Sequence, residues 1–125
     1  MAIFHHIIQP FSPITHSSNT HTVDLDKSGN NYSITVTNAQ NTINFSNLDA
    51  TRIGKAGNIL ITNPASVGSL SFASMQNTVY VPGGANIAFN TSANAISIMS
   101  YLVIASNKIL INYVSDYSVY GSNTP

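Results

Sequence analysis

The chain has no cysteine, no tryptophan and no glutamate, and its 125 residues include only four acidic and four basic side chains. Each shortage removes a class of chemistry. Without cysteine there is no disulfide frame, no thiolate nucleophile and no Cys-based zinc site. With aspartate as the only carboxylate, a paired-carboxylate hydrolase is not expected. The formal net charge is zero, so the electrostatic footprint of a nucleic-acid or anionic-lipid binder is missing. The longest apolar stretch, Ala95 to Ala105, is broken by Ser97 and Ser100 and falls far short of the roughly 20 residues a spanning helix needs. The first ten residues lack the basic start and long apolar core of a secretory signal. Nucleic acid and membrane are therefore not expected as partners.

What the chain has in abundance is uncharged polarity: Ser, Thr and Asn supply 44 residues. Three regions follow from the patterning. Residues 1–21 hold Ile3, Phe4, Ile7, Ile8, Phe11 and Ile14 around Pro10 and Pro13. The prolines lack an amide donor and push the preceding residues toward extended geometry. This region reads as an extended apolar arm whose six large side chains meet a neighbouring subunit, the alternative being a first edge strand packed on its own domain. From residue 22 the period is two. Thr22-Val-Asp-Leu, Tyr32-Ser-Ile-Thr-Val-Thr and Thr42-Ile-Asn-Phe-Ser alternate apolar with small polar residues, the mark of strands with one buried face. Further strands are expected at Asn58-Ile-Leu-Ile-Thr, Ser69-Leu-Ser-Phe, Thr78-Val-Tyr-Val and Asn86-Ile-Ala-Phe. A hairpin follows, with Ala95–Ala105 and Lys108–Val114 joined through Ser106-Asn107. Many short strands between Gly, Pro and Asn turns predict an all-β domain over 22–116, an antiparallel sandwich of jelly-roll type or a barrel. Residues 117–125 read as a tail, and no clean short-period repeat stands out.

Three groupings could carry chemistry. Asp24-Leu-Asp-Lys-Ser-Gly-Asn imitates the start of a calcium loop. Its twelfth position is Thr35 instead of a bidentate Glu, so a turn is the expected role. His5, His6, His16 and His21 have no spacing that imposes a tetrahedral metal site. Gly54-Lys-Ala-Gly57 lacks the full spacing of a phosphate loop. No Gly-x-Ser-x-Gly elbow occurs. No catalytic residue, metal ligand or cofactor is assigned, and the chain is expected not to be an enzyme.

Residues 42–114 resemble a small β-domain found in tailed-phage virion proteins, including fibre modules and capsid-associated proteins. The matching order is Thr42-Ile-Asn-Phe-Ser-Asn, Gly54-Lys-Ala-Gly, Asn58-Ile-Leu-Ile-Thr, Ser69-Leu-Ser-Phe, Val81-Pro-Gly-Gly, Thr91-Ser-Ala-Asn-Ala-Ile-Ser-Ile-Met-Ser-Tyr and the closing hairpin. Val81 stands where that family often has an aromatic residue, and Leu70 where it often has a charge. The resemblance implies a virion structural protein without catalytic residues. The expected role is a capsid decoration or cement protein, assembled as a homo-oligomer (a trimer) against the major capsid protein. The alternative is a tail-fibre or receptor-binding module that contacts a glycan through Tyr80, Pro82, Asn86, Tyr117 and Tyr120.

Overall fold

Where apolar and small polar residues alternate through residues 20–46, the apolar parity points inward. A computed structural model describes residues 10–73 and 78–121, and these form an all-β structure. His21 and Val23 of β2 (Thr20–Asp24) are buried, as are Asn41, Ile43 and Phe45 of β4 (Gln40–Ser46). The intervening Thr and Asn residues stay near the surface. The remaining strands are β1 (Ser12–Pro13), β3 (Tyr32–Thr35), β5 (Ala56–Thr62), β6 (Ser69–Phe72), β7 (Val79–Tyr80), β8 (Ile96–Ala105) and β9 (Lys108–Tyr117). A six-stranded sheet has the order β1-β3-β5-β8-β9-β7, and a three-stranded sheet the order β2-β4-β6. Both contribute to one buried cluster that includes Val23, Ile34, Ile43, Ile61, Met99 and Ile111.

The first six strands alternate between the sheets, and every pairing among them is parallel. The chain therefore winds through three coils, each laid on the one before, as in solenoid proteins. Ile34 stacks on Ile61 and Thr35 on Thr62. Pro13 pairs with Ser33, so Ile14-Thr15 continues the same ladder in the first coil. Antiparallel pairing, expected throughout, joins strands among the described residues only at β5–β8 and β8–β9, besides an isolated Ser17–Thr20 bridge, while β7 joins β9 in parallel. Side-chain alternation fixes which face is buried but carries no information on strand direction. The connections decide that: each strand crosses to the other sheet before its chain returns, which is the long crossover that parallel neighbours need.

The part of the expected arm that is described is built into the sheet edge. Ser12 and Ile14 donate their amides to Asn31 O and Ser33 O, both at 2.9 Å. Pro13 lies between them, at the position whose amide would face away from β3, where an edge strand tolerates proline. Ile14 packs on the core and Phe11 is exposed. Ile3, Phe4, Ile7 and Ile8 lie outside the described residues. Strand β2 begins at Thr20 and so spans the expected boundary after residue 21. Asn86–Phe89, expected as a strand, forms none. Instead Phe89 packs between Phe72 and Tyr113, with ring centroids 5.5 and 5.0 Å away, and covers the open side of the third coil with side chains.

Two glycines set the spacing between coils. A Cβ on Gly57 would fall 1.9 Å from Asn30 O, and one on Gly68 would fall 1.7 Å from Ala39 O. Neither residue has an unusual φ, so the requirement is purely for room. Gly57→Ala and Gly68→Ala should each destabilise the chain by about 2–3 kcal/mol, because backbone has to yield. Gly29→Ala, whose Cβ would meet only Ser12 Oγ at 3.6 Å, should change stability by less than about 0.5 kcal/mol. Urea denaturation midpoints check this, and equal losses at all three positions would contradict it.

Candidate interaction surface

Six of the eight charged residues gather at one corner of the coils: Asp24, Asp26, Lys27, Asp49, Arg52 and Lys55. The loop that imitates a calcium site is here, and its groups are already engaged. Asp24 Oδ1 accepts from Asp26 N at 3.0 Å and from Asn47 Nδ2 at 2.7 Å. These bonds, Asn47's foremost, hold the Asp24 carboxyl below its ordinary pKa. Asp26 pairs with Arg52. The Lys55 ammonium donates to Leu25 O at 3.0 Å and Lys27 O at 2.7 Å, and lies 5.8 Å from the centre of the Tyr32 ring. Tyr101 Oη donates to Asn30 O at 2.6 Å, and burial pushes its pKa well up. The loop thus turns its carbonyls toward a cation that the chain itself supplies, from the Gly54–Gly57 segment. Among the described residues no three His or Asp side chains come together as metal ligands.

His21 is fully buried in β2 and its Nε2–H donates to Asn41 Oδ1 at 2.9 Å. Among the described residues its Nδ1 has no hydrogen-bond partner, and the His16 ring stands 5.3 Å away. Burial, above all, lowers the His21 pKa.

The outer face of the six-stranded sheet is of a different character. Side chains across β5, β8 and β9 fall into rows set by the register. One row is Leu60–Ile98–Val114, the next is Asn58–Ser100–Asn112, and the next is Ala56–Leu102–Leu110, which Tyr80 of β7 extends. Leu102, Leu110 and Val114 are 38, 39 and 45% exposed. The middle row is polar, and Ser100 Oγ donates to Asn58 Oδ1 at 2.9 Å. No charged side chain lies within these rows. Lys108 and Asp116 stand at the two ends of β9.

The expected contact residues divide among three places. Tyr80 and Pro82 wall an open, mostly apolar groove of about 510 Å³ whose floor is Ser100, Leu102, Leu110 and Asn112. Asn86 lies in an adjoining groove that shares Pro82 and Asn112. Tyr117 pairs with Ile96 at the far end of the hairpin, and Tyr120 projects fully into solvent. Ile98, Leu102, Leu110 and Val114 were not legible as surface residues. Both parities of Ile96–Ala105 are apolar, which reads as a strand buried on two sides. Only the topology shows that, among the described residues, nothing is laid over one side.

Comparison with protein-family models, curated proteins and solved structures gave no significant match. No helix among the described residues is long and apolar enough to cross a membrane.

Two outcomes follow from the buried groups. Because His21 titrates below its ordinary 6.5, the unfolded chain binds more protons than the folded one between the two values. The stability this group contributes is whole above pH 6.5 and is lost as pH falls through the folded pKa. Melting temperature should drop on acidification below 6.5, and the drop should shrink in His21→Ile, which matches its neighbour Ile43 in the ladder. A drop of the same size in the variant would locate the titration elsewhere. Lys55→Met keeps the side chain's length but leaves two carbonyls without their donor, and should cost about 1.5–3 kcal/mol in chemical denaturation. A neutral result would mean the loop does not depend on that ammonium.

Proposed function

We propose that this chain is a structural adhesion protein of a tailed-phage virion, a capsid decoration or cement protein. In this reading it holds neighbouring shell subunits together without chemistry, and its two sheets are the faces of one sandwich. The observation that carries the proposal is the outer face of β5, β8 and β9, which has apolar rows and no charge within them. An exposed patch of this kind marks a protein contact surface more often than a bare monomer surface. Uncharged Ser, Thr and Asn side chains around it can be buried without stranding an unpaired ion. Repeated weak contacts on a lattice multiply into firm attachment.

Division of labour follows from position. Ile3, Phe4, Ile7, Ile8 and Phe11 attach to the major capsid protein, while the outer face meets another copy. The expected homo-oligomer is a trimer, and the outer face raises a pair as the other assembly. The virion is the proposed location. A second reading, a tail-fibre module that binds a glycan, is favoured by one observation, the groove beside Tyr80. Its floor offers Ser100 and Asn112 to a sugar hydroxyl and its wall an aromatic ring.

Co-sedimentation separates the two readings. Purified chain should pellet with capsids prepared without it. A variant lacking residues 2–9, which keeps β1 intact, should melt at nearly the same temperature yet stay in the supernatant. Full binding by that variant would refute the arm's role. Binding to no particle, together with hits on a glycan array, would favour the second reading.

A further inference from the structure

The three middle rows of the outer face read the same from either end of the strands. Apolar Leu60–Ile98–Val114 lies on one side of polar Asn58–Ser100–Asn112, and apolar Ala56–Leu102–Leu110 on the other. The charges obey the same symmetry with opposite sign. Lys108 opens β9, Asp116 is its last residue but one, at φ 70° where the register against β8 shifts, and in sequence Asn112 lies midway between them. A pattern that is palindromic in polarity and antisymmetric in charge is self-complementary under one operation. That operation is a two-fold rotation about an axis lying in the plane of the contact, along the polar row and across the strands.

We propose that the occupant of this face is a second copy of the same chain, packed sheet on sheet with its β9 running antiparallel to the first. Under that rotation each apolar row covers the other apolar row. The Asn58–Ser100–Asn112 rows meet each other, where their amides and hydroxyls supply both donors and acceptors. Lys108 of each copy faces Asp116 of the other. Val114 of each copy lies over Leu110, at the groove walled by Tyr80 and Pro82. Tyr117 and the exposed Tyr120 fall toward the hairpin end of the other copy instead of into open water. The interface is isologous, as closed two-fold contacts are. Any other stacking of two copies sets polar rows on apolar ones or leaves the two end charges without a partner.

Size sets the strength. Five outward positions on β8 and β9 and four on β5, at about 6.8 Å per position, give a face up to roughly 27 Å long, and three strands make it roughly 14 Å wide. That is on the order of 400 Å² a side before Tyr80 and the Tyr117–Tyr120 segment are added, at the small end of specific interfaces. Association in the micromolar range is therefore expected for the isolated chain, with lattice attachment raising the effective concentration. The inference does not depend on the virion reading, since it uses only this face and is tested on the chain alone.

Sedimentation equilibrium of the full chain between about 1 and 300 μM should give a reversible monomer–dimer equilibrium, the range being set by that small area. Leu110→Asp, at an exposed position, should keep the native melting profile and weaken association by about tenfold or more. Lys108→Asp and Asp116→Lys should each weaken it about two- to fivefold, as rim charge pairs do, and the double exchange should restore it. The restoration is specific to the antiparallel two-fold arrangement. A chain that stays monomeric throughout the range, a trimer, dimerisation indifferent to Leu110→Asp, or a double exchange no better than its parents would each overturn the proposal. Because the sequence has no cysteine, Asn112→Cys gives an independent check. With one thiol per chain close to the axis, a short bis-maleimide should link wild-type-like dimers efficiently, and failure to link them would place the axis elsewhere.

Discussion

Everything in the coiled part of the chain depends on one buried amide, that of Asn41. Parallel coils must be held in register, since a slip of one residue would turn every buried side chain outward. Asn41 prevents this by touching all three coils. Its Oδ1 accepts from His21 Nε2 in the first coil at 2.9 Å and from Thr37 N in its own coil at 3.1 Å. Its Nδ2 lies 3.1 and 2.9 Å from Thr37 O and Ala39 O, and 3.1 Å from Ser69 O in the third coil. The last contact is possible only because Gly68 lets the third coil lie directly on the Ala39 peptide. There Gly68 N and Ser69 N donate to Thr37 O and Ala39 O at 3.0 and 3.1 Å. Asn63 does similar work one coil later, with its Nδ2 2.8 Å from Asn90 O and 2.9 Å from Ser92 O, so that the segment covering the third coil is tied down. Buried amides satisfied on both sides fix one arrangement where apolar packing alone would admit several.

The same economy governs charge. With so few ions, the chain places most of them where loops of successive coils meet, and there they bind backbone. Lys55 gathers the carbonyls of the Asp24–Asn31 loop, and Arg52 joins that loop to the next corner through Asp26. The sheet surface is left neutral. A neutral, partly apolar face lacks the common guard against association, and in the proposed pairing the two remaining charges, near the ends of β9, would orient the contact. The proposed adhesion and pairing both rest on where the charges went.

Much of the local structure was legible in the residues. The parity of Val23, Ile43, Phe45, Ile59 and Ile61 identifies their strands and buried faces without any coordinates. Asn107, at φ 60°, is the left-handed residue that the hairpin needed, and Ser106-Asn107 was recognisable as that turn. The coil repeat was written in the sequence as Ile14-Thr15, Ile34-Thr35 and Ile61-Thr62. It does not show as a repeat in the sequence because the loops between coils differ in length, so the spacing is irregular while the stacking is not. Asn41 and Gly68 gave no signal either. An asparagine after a turn and a glycine before a strand are ordinary letters, and their importance comes from backbone that lies far away in sequence.

Residue order is enough to show that the chain is β-rich, where most of its strands lie, which parity is buried where apolar and polar residues alternate, and that charge is scarce. These properties are encoded between neighbours a few residues apart. Only the tertiary arrangement shows that most pairings are parallel, that Lys55 fills the loop resembling a calcium site, and that no other described strand lies over one side of the β8–β9 hairpin. The physical reason is that strand direction, close backbone approach and the presence of a covering layer are relations between distant segments. Alternation along one strand is the same whichever neighbour it meets.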